Sequence, residues 1–251
     1  VSLATLAWSG LAEAQDAKGF GTKGQLILSA DRLFPLFSYT SISTTEHPNN
    51  NETVTTTDKG SSLVLLLGSE PQVGNINPHT IPRVAVDFTV IDRLTVGGSV
   101  ALAFGLGGSH KVEDDNNGTN RSTSTDSPTV TVIGFSPRVG YILPLTDWLA
   151  FWPRGGFSFY SVRVRTVDTN NMNVDTTHTD SDTIFSLDLD PQLAIIPVRN
   201  FFFTGGLLMN IPLGGSQKSE TTTGGTTQSV SNDFSIFHFG LEVGLGGWID
   251  L

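Results

Sequence analysis

The fold of this 251-residue chain is decided by residues 129–166, TVTVIGFSPRVGYILPLTDWLAFWPRGGFSFYSVRVRT. Two long strand patterns meet there at a short turn, which we expect at residues 144–147. In residues 133–143, large apolar or aromatic side chains occupy one parity, and glycine, serine and arginine hold most of the other. Residues 151–160 repeat this arrangement after the turn. A period of two sustained over about ten residues predicts a β-strand with two chemically different faces.

The chemistry of the two faces distinguishes a membrane barrel from a soluble β-sandwich. A soluble barrel or sandwich fills its interior with bulky aliphatic side chains and turns its polar side chains to water. Here the face opposite the large apolar side chains is too small and too polar to form a dry core. A transmembrane β-barrel requires this inversion. The sequence therefore predicts an all-β chain, an eight-stranded antiparallel up-and-down transmembrane β-barrel with long outer loops and short periplasmic turns.

The composition excludes several other classes of protein. Charged residues make up 15% of the chain, and it contains no cysteine. It therefore has no disulfide framework, no thiolate nucleophile and no cysteine-based metal site. The formal net charge of −10 argues against a nucleic-acid partner, because such binders need a basic surface. No apolar run approaches the roughly 18 residues that a membrane-spanning helix requires.

Strand patterns follow one another along the chain, separated by alternating long and short connections. They cover residues 24–43, 61–69, 83–91, 94–108, 129–166 as a hairpin, 183–196, 201–214 and 234–251. Four polar segments between them are interpreted as exposed loops: residues 44–60, 109–128, 167–182 and 215–233. If residues 61–69 and 83–91 are separate strands, the total is nine. If residues 70–81 are an excursion within one strand, it is eight, which we prefer because single-chain bacterial barrels are even-numbered.

Two features near the start of the chain modify this scheme. Residues 1–14 are interpreted as the remnant of a signal peptide, because the apolar start leads to Ala12-Glu13-Ala14, a small-x-small cleavage pattern. Residues 15–251 then form a single β-barrel domain. The alternative is an ordinary N-terminal segment or a short plug helix. In the first strand, the parity breaks between Asp31 and Pro35, which indicates a bulge or bend.

Charged side chains on the inward parity predict a polar network in the lumen. The predicted members are Arg83, Asp87, Arg138, Arg154, Asp188, Asp190, His238 and Glu242. Asp31 is a further candidate where the parity breaks. The lumen of an eight-stranded barrel is just wide enough for side chains to fill it. We therefore expect opposite charges to pair and to close the lumen, and the alternative is a charged ion path.

The sequence gives less support for a catalytic or metal-binding site than for the lumen network. Ser109, His110 and Asp114 lie close together in sequence, and such a set can support acyl transfer if the geometry is right. Neighbouring residues on a strand point to opposite faces, however, so Ser109 and His110 are poorly placed to pair. Acidic pairs in the loops, Asp114 with Asp115 and Asp180 with Asp182, could bind a divalent cation through oxygen ligands. We assign no catalytic, cofactor or metal residue.

With its strands placed, the chain resembles the small outer-membrane β-barrel superfamily typified by OmpA and OmpX. It also resembles uncharacterised single-barrel proteins of myxobacterial type through four segments: residues 81–88, 136–141, 152–156 and 244–248. None of them is a catalytic motif. The family's C-terminal assembly signal ends in an aromatic residue, whereas this chain ends in Leu251 and has Gly244 at the usual polar position.

The resemblance implies a bacterial outer-membrane location and says little about activity. We expect a structural barrel with a plugged lumen, or a surface protein that binds through its loops. The alternatives are a small porin-like channel and, less favoured, a lipid-modifying enzyme at the outer rim. The expected partners are outer-membrane lipid and lipopolysaccharide, a protein held by the acidic loops, and a divalent cation at the loops. No cofactor and no nucleic acid are expected.

Overall fold

The computed structural model describes residues 19–49, 52–63, 77–116, 119–169 and 175–251, and it is built almost entirely of β-strands. The strands are β1 (Gln25–Asn49), β2 (Glu52–Leu63), β3 (Arg83–Ile91), β4 (Leu94–Asn116), β5 (Thr119–Tyr141), β6 (Leu143–Thr146), β7 (Leu149–Thr169), β8 (Asp175–Val198), β9 (Phe201–Thr223) and β10 (Thr226–Asp250). A short 3-10 turn, Pro78–Thr80, precedes β3. Among these residues, no helix is long and apolar enough to cross a membrane.

Antiparallel pairing closes the sheet into a ring. The order around the wall is β3, β4, β5, β7, β8, β9 and β10, and β1 joins β10 back to β3. β2 and β3 share one edge of β1, because β2 pairs with its second half and β3 pairs with residues 26–31. Together they fill one position in the wall, so the ring has eight strands. The eight-strand prediction is confirmed, and the count of nine is wrong.

The two faces of the wall differ as the alternation predicts. On β3, Val84, Val86 and Phe88 point outward and are exposed, whereas Arg83 and Asp87 point inward and are buried. Every strand of the ring contributes exposed apolar side chains of this kind, which together form the apolar belt; examples are Leu28, Val86, Val100, Phe135, Phe159, Leu189, Leu207 and Leu241. So much outward apolar surface is stable against lipid rather than against water.

The two ends of the barrel have different connections. At one end, called the turn end, the connections are tight: Arg93 and Asn200 adopt the positive φ angles, 73° and 63°, that such turns need. The short strand β6 prolongs the wall position of β5, and the chain then reverses at residues 147–148, slightly beyond the predicted turn. At the other end, called the hairpin end, β1 meets β2, β4 meets β5, β7 meets β8 and β9 meets β10.

The four segments interpreted as loops are largely paired strand, which corrects that interpretation. Residues 215–233 form the upper part of the β9–β10 hairpin, with paired residues up to Thr223 and Thr226 around a glycine turn. The segments 44–60, 109–128 and 167–182 likewise continue their flanking strands. Threonine side chains bond across these strands, as between Thr222 and Thr227 at 2.9 Å. These extensions are polar on both faces, so they give no alternation that marks a strand.

The predicted irregularity in the first strand is a bulge. Pairing between β1 and β10 shifts register between Ala30 and Phe34, and Arg32 has a φ angle of 59°. As a result Asp31 and Arg32 are both buried, although consecutive residues of a regular strand point to opposite faces. The bulge thus places two adjacent charges inside the barrel.

The segment before β1, residues 19–24, folds under the turn end of the barrel. Gln25 fixes it, because its side chain accepts a hydrogen bond from Gly21 N at 2.8 Å and donates to Gly19 O at 3.0 Å. Phe20 thereby lies in the lumen. This segment contains no helix. The predicted signal-peptide remnant, residues 1–14, lies outside the described residues.

Candidate functional site in the barrel lumen

Nine buried charged side chains form one connected group across the middle of the lumen, here called the lumen network. Its members are Asp31, Arg32, Arg83, Asp87, Arg138, Arg154, Asp188, Asp190 and Glu242. Six of the eight wall positions supply them, since β4 and β9 contribute none. Each side chain projects inward because its position has lumen parity or lies in the β1 bulge.

Two arginines with three aspartates form one part of the lumen network. Arg138 Nε donates to Asp87 Oδ1 at 3.0 Å, and Nη2 of the same guanidinium lies 2.5 Å from Asp87 Oδ2. Its Nη1 pairs with Asp31. Arg154 contacts Asp31 at 3.2 Å and Asp190 at 2.6 Å. Asp31 therefore bridges two guanidiniums, and both arginines have two carboxylate partners.

Asp188 organises the other part. It lies 3.5 Å from Arg83 Nη1 and 3.7 Å from Arg32 Nη2, and it accepts a hydrogen bond from Asn210. Arg32 Nε in turn lies 3.2 Å from Glu242 Oε2. The guanidinium of Arg83 also lies over the ring of Tyr160, at 5.1 Å from its centroid, which favours a cation.

Gln192 joins the two parts, because its amide nitrogen donates to Asp190 and, at 3.2 Å, to Glu242. The lumen network therefore contains four guanidiniums and five carboxyl groups in continuous contact. A charge taken out of water is tolerated only when partners compensate it, so each member depends on the others.

The structure brings most of the sequence-predicted residues together. Arg83, Asp87, Arg138, Arg154, Asp188, Asp190 and Glu242 lie in the lumen network. His238 is buried nearby, 2% exposed, and its Nδ1 lies within hydrogen-bond distance of Thr40 and Asn77. The structure also adds Arg32, which parity counting misses because the bulge inverts the alternation. The sequence feature that points to Arg32 is the break in parity between Asp31 and Pro35.

A second group that sequence reasoning missed lies around His79. The chain between β2 and β3 enters the lumen at residues 77–81, here called the inserted turn. His79 is fully buried, its ring is stacked on His238 at 5.9 Å, and its carbonyl accepts from Arg32 Nη1 at 2.7 Å. Asn77 donates to Thr40 Oγ1 at 2.8 Å, which anchors the turn to β1. No periodicity in residues 70–81 marks this insertion.

Apolar side chains lie in the lumen on both sides of the lumen network. Toward the turn end, Phe20 packs against the rings of Trp152, Phe202 and Trp248 with centroids 5.1 to 5.6 Å away, which we call the base cluster. Toward the hairpin end lies the upper cluster: Ile42, Ala101, Val132, Tyr160, Val162, Ile184, Phe234 and Ile236. The members of both clusters are buried.

Lumen-facing glycines make room for the largest of these rings. A Cβ atom at Gly134 of β5 would lie 2.5 Å from the ring of Tyr160, and one at Gly140 would lie 2.5 Å from Trp152 Nε1. One at Gly246 would lie 2.5 Å from Phe202. Glycine on the inward parity thus faces a bulky side chain on a neighbouring strand, which explains how a narrow barrel holds so many aromatic rings.

Little free space is left between these groups. Within the described part of the chain, a cavity of about 20 Å³ lies among the lumen network, lined by Arg83, Arg138, Arg154, Asp188 and Asp190 among others. A cavity of this size holds about one water molecule.

The other chemical candidates do not form a site in the described structure. Ser109, His110 and Asp114 lie in β4, and their side chains, like that of Asp115, fall outside the described residues. Asp180 accepts a hydrogen bond from Ser219 Oγ at 2.6 Å. Asp182 lies beyond the apolar belt, and its burial raises its pKa to about 6, opposed in part by the hydrogen bond from Gln217 and reinforced by the nearby charge of Asp180. Within the described ranges, no three His, Asp or Glu side chains could hold a metal ion together.

Comparison with known proteins found no matching family model and no matching curated protein. Solved structures of similar fold include three outer-membrane proteins. Ail, the attachment invasion locus protein of Yersinia pestis, is 9% identical over 91% of this chain and 100% of that chain, with a TM-score of 0.33. Outer membrane protein AlkL, studied in lipid bilayers, is 13% identical over 94% and 95%, with a TM-score of 0.41. Outer membrane protease OmpT from Escherichia coli is 9% identical over 94% and 100%, with a TM-score of 0.39.

These similarities are low, so the fold assignment rests on features of the chain itself. The ring is closed and even-numbered, its outer face is an apolar belt, and tight turns alternate with long hairpins. Those features together are the architecture of proteins that span the bacterial outer membrane. The chain has the small outer-membrane β-barrel fold.

Proposed function

We propose that this protein is a closed, non-catalytic barrel of the outer membrane, which has a structural role or binds partners at its surface. The observation that carries the proposal is the lumen network, whose charges are paired with one another. A pore needs groups that a passing ion can reach, and paired buried charges offer none. The base and upper clusters add an apolar layer on either side.

The energetics support a closed lumen. To open a path, Arg138 or Arg154 would have to leave two carboxylates each. Breaking one buried pair typically costs about 3–5 kcal/mol. Because the pairs share members, several would have to break together. A small channel is therefore the less favoured function. Single-channel recording decides between a closed barrel and a channel.

Single-channel recording in a planar bilayer tests this proposal. The folded wild-type protein is expected to be silent, and Arg138→Ala is expected to show brief, small openings because it vacates the centre of the lumen. Arg199→Ala, at an exposed position of the turn end, serves as the matched control and is expected to be silent. Folding of each variant is checked by its heat-dependent gel mobility. Steady open conductance of the wild type would refute the closed barrel and favour a channel.

Partner binding, in this proposal, belongs to the hairpin end. The paired extensions there are polar, threonine-rich and acidic, and they stand clear of the apolar belt. A protein partner or a divalent cation would meet this surface, while lipid and lipopolysaccharide would surround the belt. The close pair Asp180 and Asp182 supports a cation, since its mutual repulsion would fall on binding. Calcium titration followed by thermal unfolding tests this, and Asp180→Asn is expected to abolish any stabilisation.

A further inference from the structure

Three long basic side chains lie together on the outer face of the barrel, just beyond the apolar belt. Arg163 and Arg165 project outward from β7, and Lys218 projects outward from β9. Ser181 of β8 lies directly between Arg163 and Lys218 in the register of the three strands. Since neighbouring strands are about 4.8 Å apart, the two flanking positions are roughly 10 Å apart. Side chains of this length can converge on one group between them.

The side chains around this position do cover the strand between them. Thr179 occupies an outward position on β8, between Arg165 and Glu220, and yet it is only 7% exposed. On the outer face only neighbouring outward side chains can bury it. Lys218 Nζ and Glu220 Oε1 are 2.6 Å apart. The basic patch, defined as Arg163, Arg165, Lys218 and the associated Glu220, therefore has a net charge of +2.

The basic patch lies further toward the hairpin end than the outward aromatic rings of β7 and β8. Phe159 stacks on Phe185 at 4.5 Å, and Phe157 stacks on Phe185 at 5.8 Å, at the upper margin of the apolar belt. Arg163 lies four residues beyond Phe159 on the same face. At about 3.3 Å per residue and a tilt of about 40°, this is roughly 10 Å along the barrel axis. The long Arg side chain can reach back into the headgroup layer, which begins where the hydrocarbon ends.

The charge of the basic patch differs from that of its surroundings. The chain carries a net charge of −10, and the hairpin extensions hold many of its acidic residues. Among side chains described at the hairpin end, the other basic one is Lys59, on β2, which lies across β10 and β1 from β9. A general attraction to anionic lipid does not require the cations to be clustered. Three cations on neighbouring strands therefore favour a single bound group.

We propose that the basic patch binds the phosphomonoester headgroup of a membrane lipid, whose acyl chains lie over the stacked rings of Phe157, Phe159 and Phe185. A phosphomonoester carries a charge of about −1.5 to −2 at neutral pH, which complements the net charge of the patch. Arginine guanidiniums bind phosphate with paired hydrogen bonds. A phosphodiester lipid carries a single charge and leaves one positive charge of the patch uncompensated. The inference rests on the proposed membrane setting but not on the closed lumen.

Native mass spectrometry of the folded protein tests the proposal, with lipid A as the phosphomonoester probe and phosphatidylglycerol as the phosphodiester probe. The wild type is expected to retain lipid A and to bind phosphatidylglycerol several-fold more weakly. The triple variant Arg163→Gln, Arg165→Gln and Lys218→Gln is expected to bind lipid A about tenfold or more weakly, because it loses charge-assisted hydrogen bonds. Lys59→Gln, which removes one exposed cation elsewhere, is expected to bind as the wild type does.

Phosphatidic acid distinguishes the headgroup from the rest of the lipid, because it presents a phosphomonoester without the sugars of lipid A. It is expected to bind to the wild type and to be lost in the triple variant. Equal retention of lipid A by the triple variant, equal binding of phosphatidylglycerol by the wild type, or an equal loss in Lys59→Gln would each overturn the proposal. Heat-dependent gel mobility verifies folding of each variant, and a conducting wild type would refute the closed lumen without affecting this result.

Discussion

At the scale of single residues, Arg138 shows how the lumen depends on compensation. It is held by Asp31 and Asp87, and both carboxylates are buried. Arg154 also contacts Asp31, so part of the charge on that carboxylate stays compensated if Arg138 is removed. Asp87 has no second ion-pair partner among the described residues. The effect of removing Arg138 is therefore concentrated on Asp87.

We predict that Arg138→Met lowers the free energy of unfolding by about 3–5 kcal/mol, because it leaves a buried carboxylate unpaired. Methionine retains most of the side-chain volume, so the loss reports charge rather than a cavity. The measurement is reversible urea unfolding in detergent micelles. The control Arg199→Met, at an exposed turn position, is expected to change stability by less than about 0.5 kcal/mol. A loss below about 1 kcal/mol for Arg138→Met would show that the pairing contributes little.

A second prediction concerns Asp182, whose pKa in the folded chain is raised from 3.8 to about 6, chiefly by burial. The folded state favours the protonated carboxyl, so ionisation of Asp182 weakens the fold progressively as pH rises from about 4 to 6. Asp182→Asn should therefore stabilise the barrel above pH 6 and have little effect near pH 4. Unfolding midpoints across this range provide the measurement. The control Thr183→Asn introduces the same amide on the outward face. Its effect on the unfolding midpoint, relative to the wild type, should not change between pH 4 and pH 6.

At the scale of secondary-structure elements, the extended hairpins are the main departure from the sequence analysis. In a loop of 15 to 20 residues, as residues 215–233 were interpreted, the backbone would be open to a protease. In the structure the same residues are paired on both sides, since Lys218 faces Ser181 of β8 and Ser231 of β10. Protease sensitivity therefore separates the two descriptions.

We predict that trypsin does not cleave the folded protein after Lys218, because a paired strand cannot enter the extended active-site groove of a protease. The same bond should be cut in urea-unfolded protein, which serves as the positive control. Mass spectrometry of the fragments provides the measurement. Rapid cleavage within residues 215–233 of folded protein would mean that this segment is a loop after all.

Packing between β5 and β7 gives another prediction at this scale. Gly134→Ala places a Cβ atom 2.5 Å from the ring of Tyr160, and overpacking of this kind typically costs about 1–3 kcal/mol. In a Tyr160→Ala background, the same substitution should cost much less, because the ring is gone. Urea unfolding of the four proteins in this cycle provides the coupling energy. Equal costs in both backgrounds would show that the ring of Tyr160 does not limit position 134.

The elements that sequence reasoning predicted are those with a strict period of two. Strands such as β3 and β5 alternate between lipid and lumen, so both their type and their inward residues follow from parity. Arg32 was missed because a bulge adds a residue, and His79 was missed because an inserted turn has no period. The strand extensions were missed because a Thr-rich strand that is polar on both faces has the composition of a loop.

At the scale of the whole molecule, the barrel has an apolar base, a charged middle and an apolar upper layer, surrounded by an apolar belt. Tryptophans report on this arrangement, because Trp148 and Trp152 lie in different settings. Trp148 is 56% exposed at the turn end, whereas Trp152 is fully buried in the base cluster.

We predict that brominated lipids quench the fluorescence of a variant that retains only Trp148 and leave a variant that retains only Trp152 nearly unaffected. Bromine on the acyl chain quenches by contact, so the difference reports which ring meets lipid. In both variants the other tryptophans are replaced by phenylalanine. Strong quenching of Trp152 would contradict an inward base cluster and a lipid-facing belt.

The distribution of the lumen network over six wall positions also bears on how the barrel is assembled. If one strand were to pair one residue out of step, its whole inward set would turn toward the lipid. An arginine moved to the lipid face near the middle of the membrane costs about 2–4 kcal/mol, and its former partners would be stranded inside. The network thus favours the native strand register, because that pairing brings every charge to its partner.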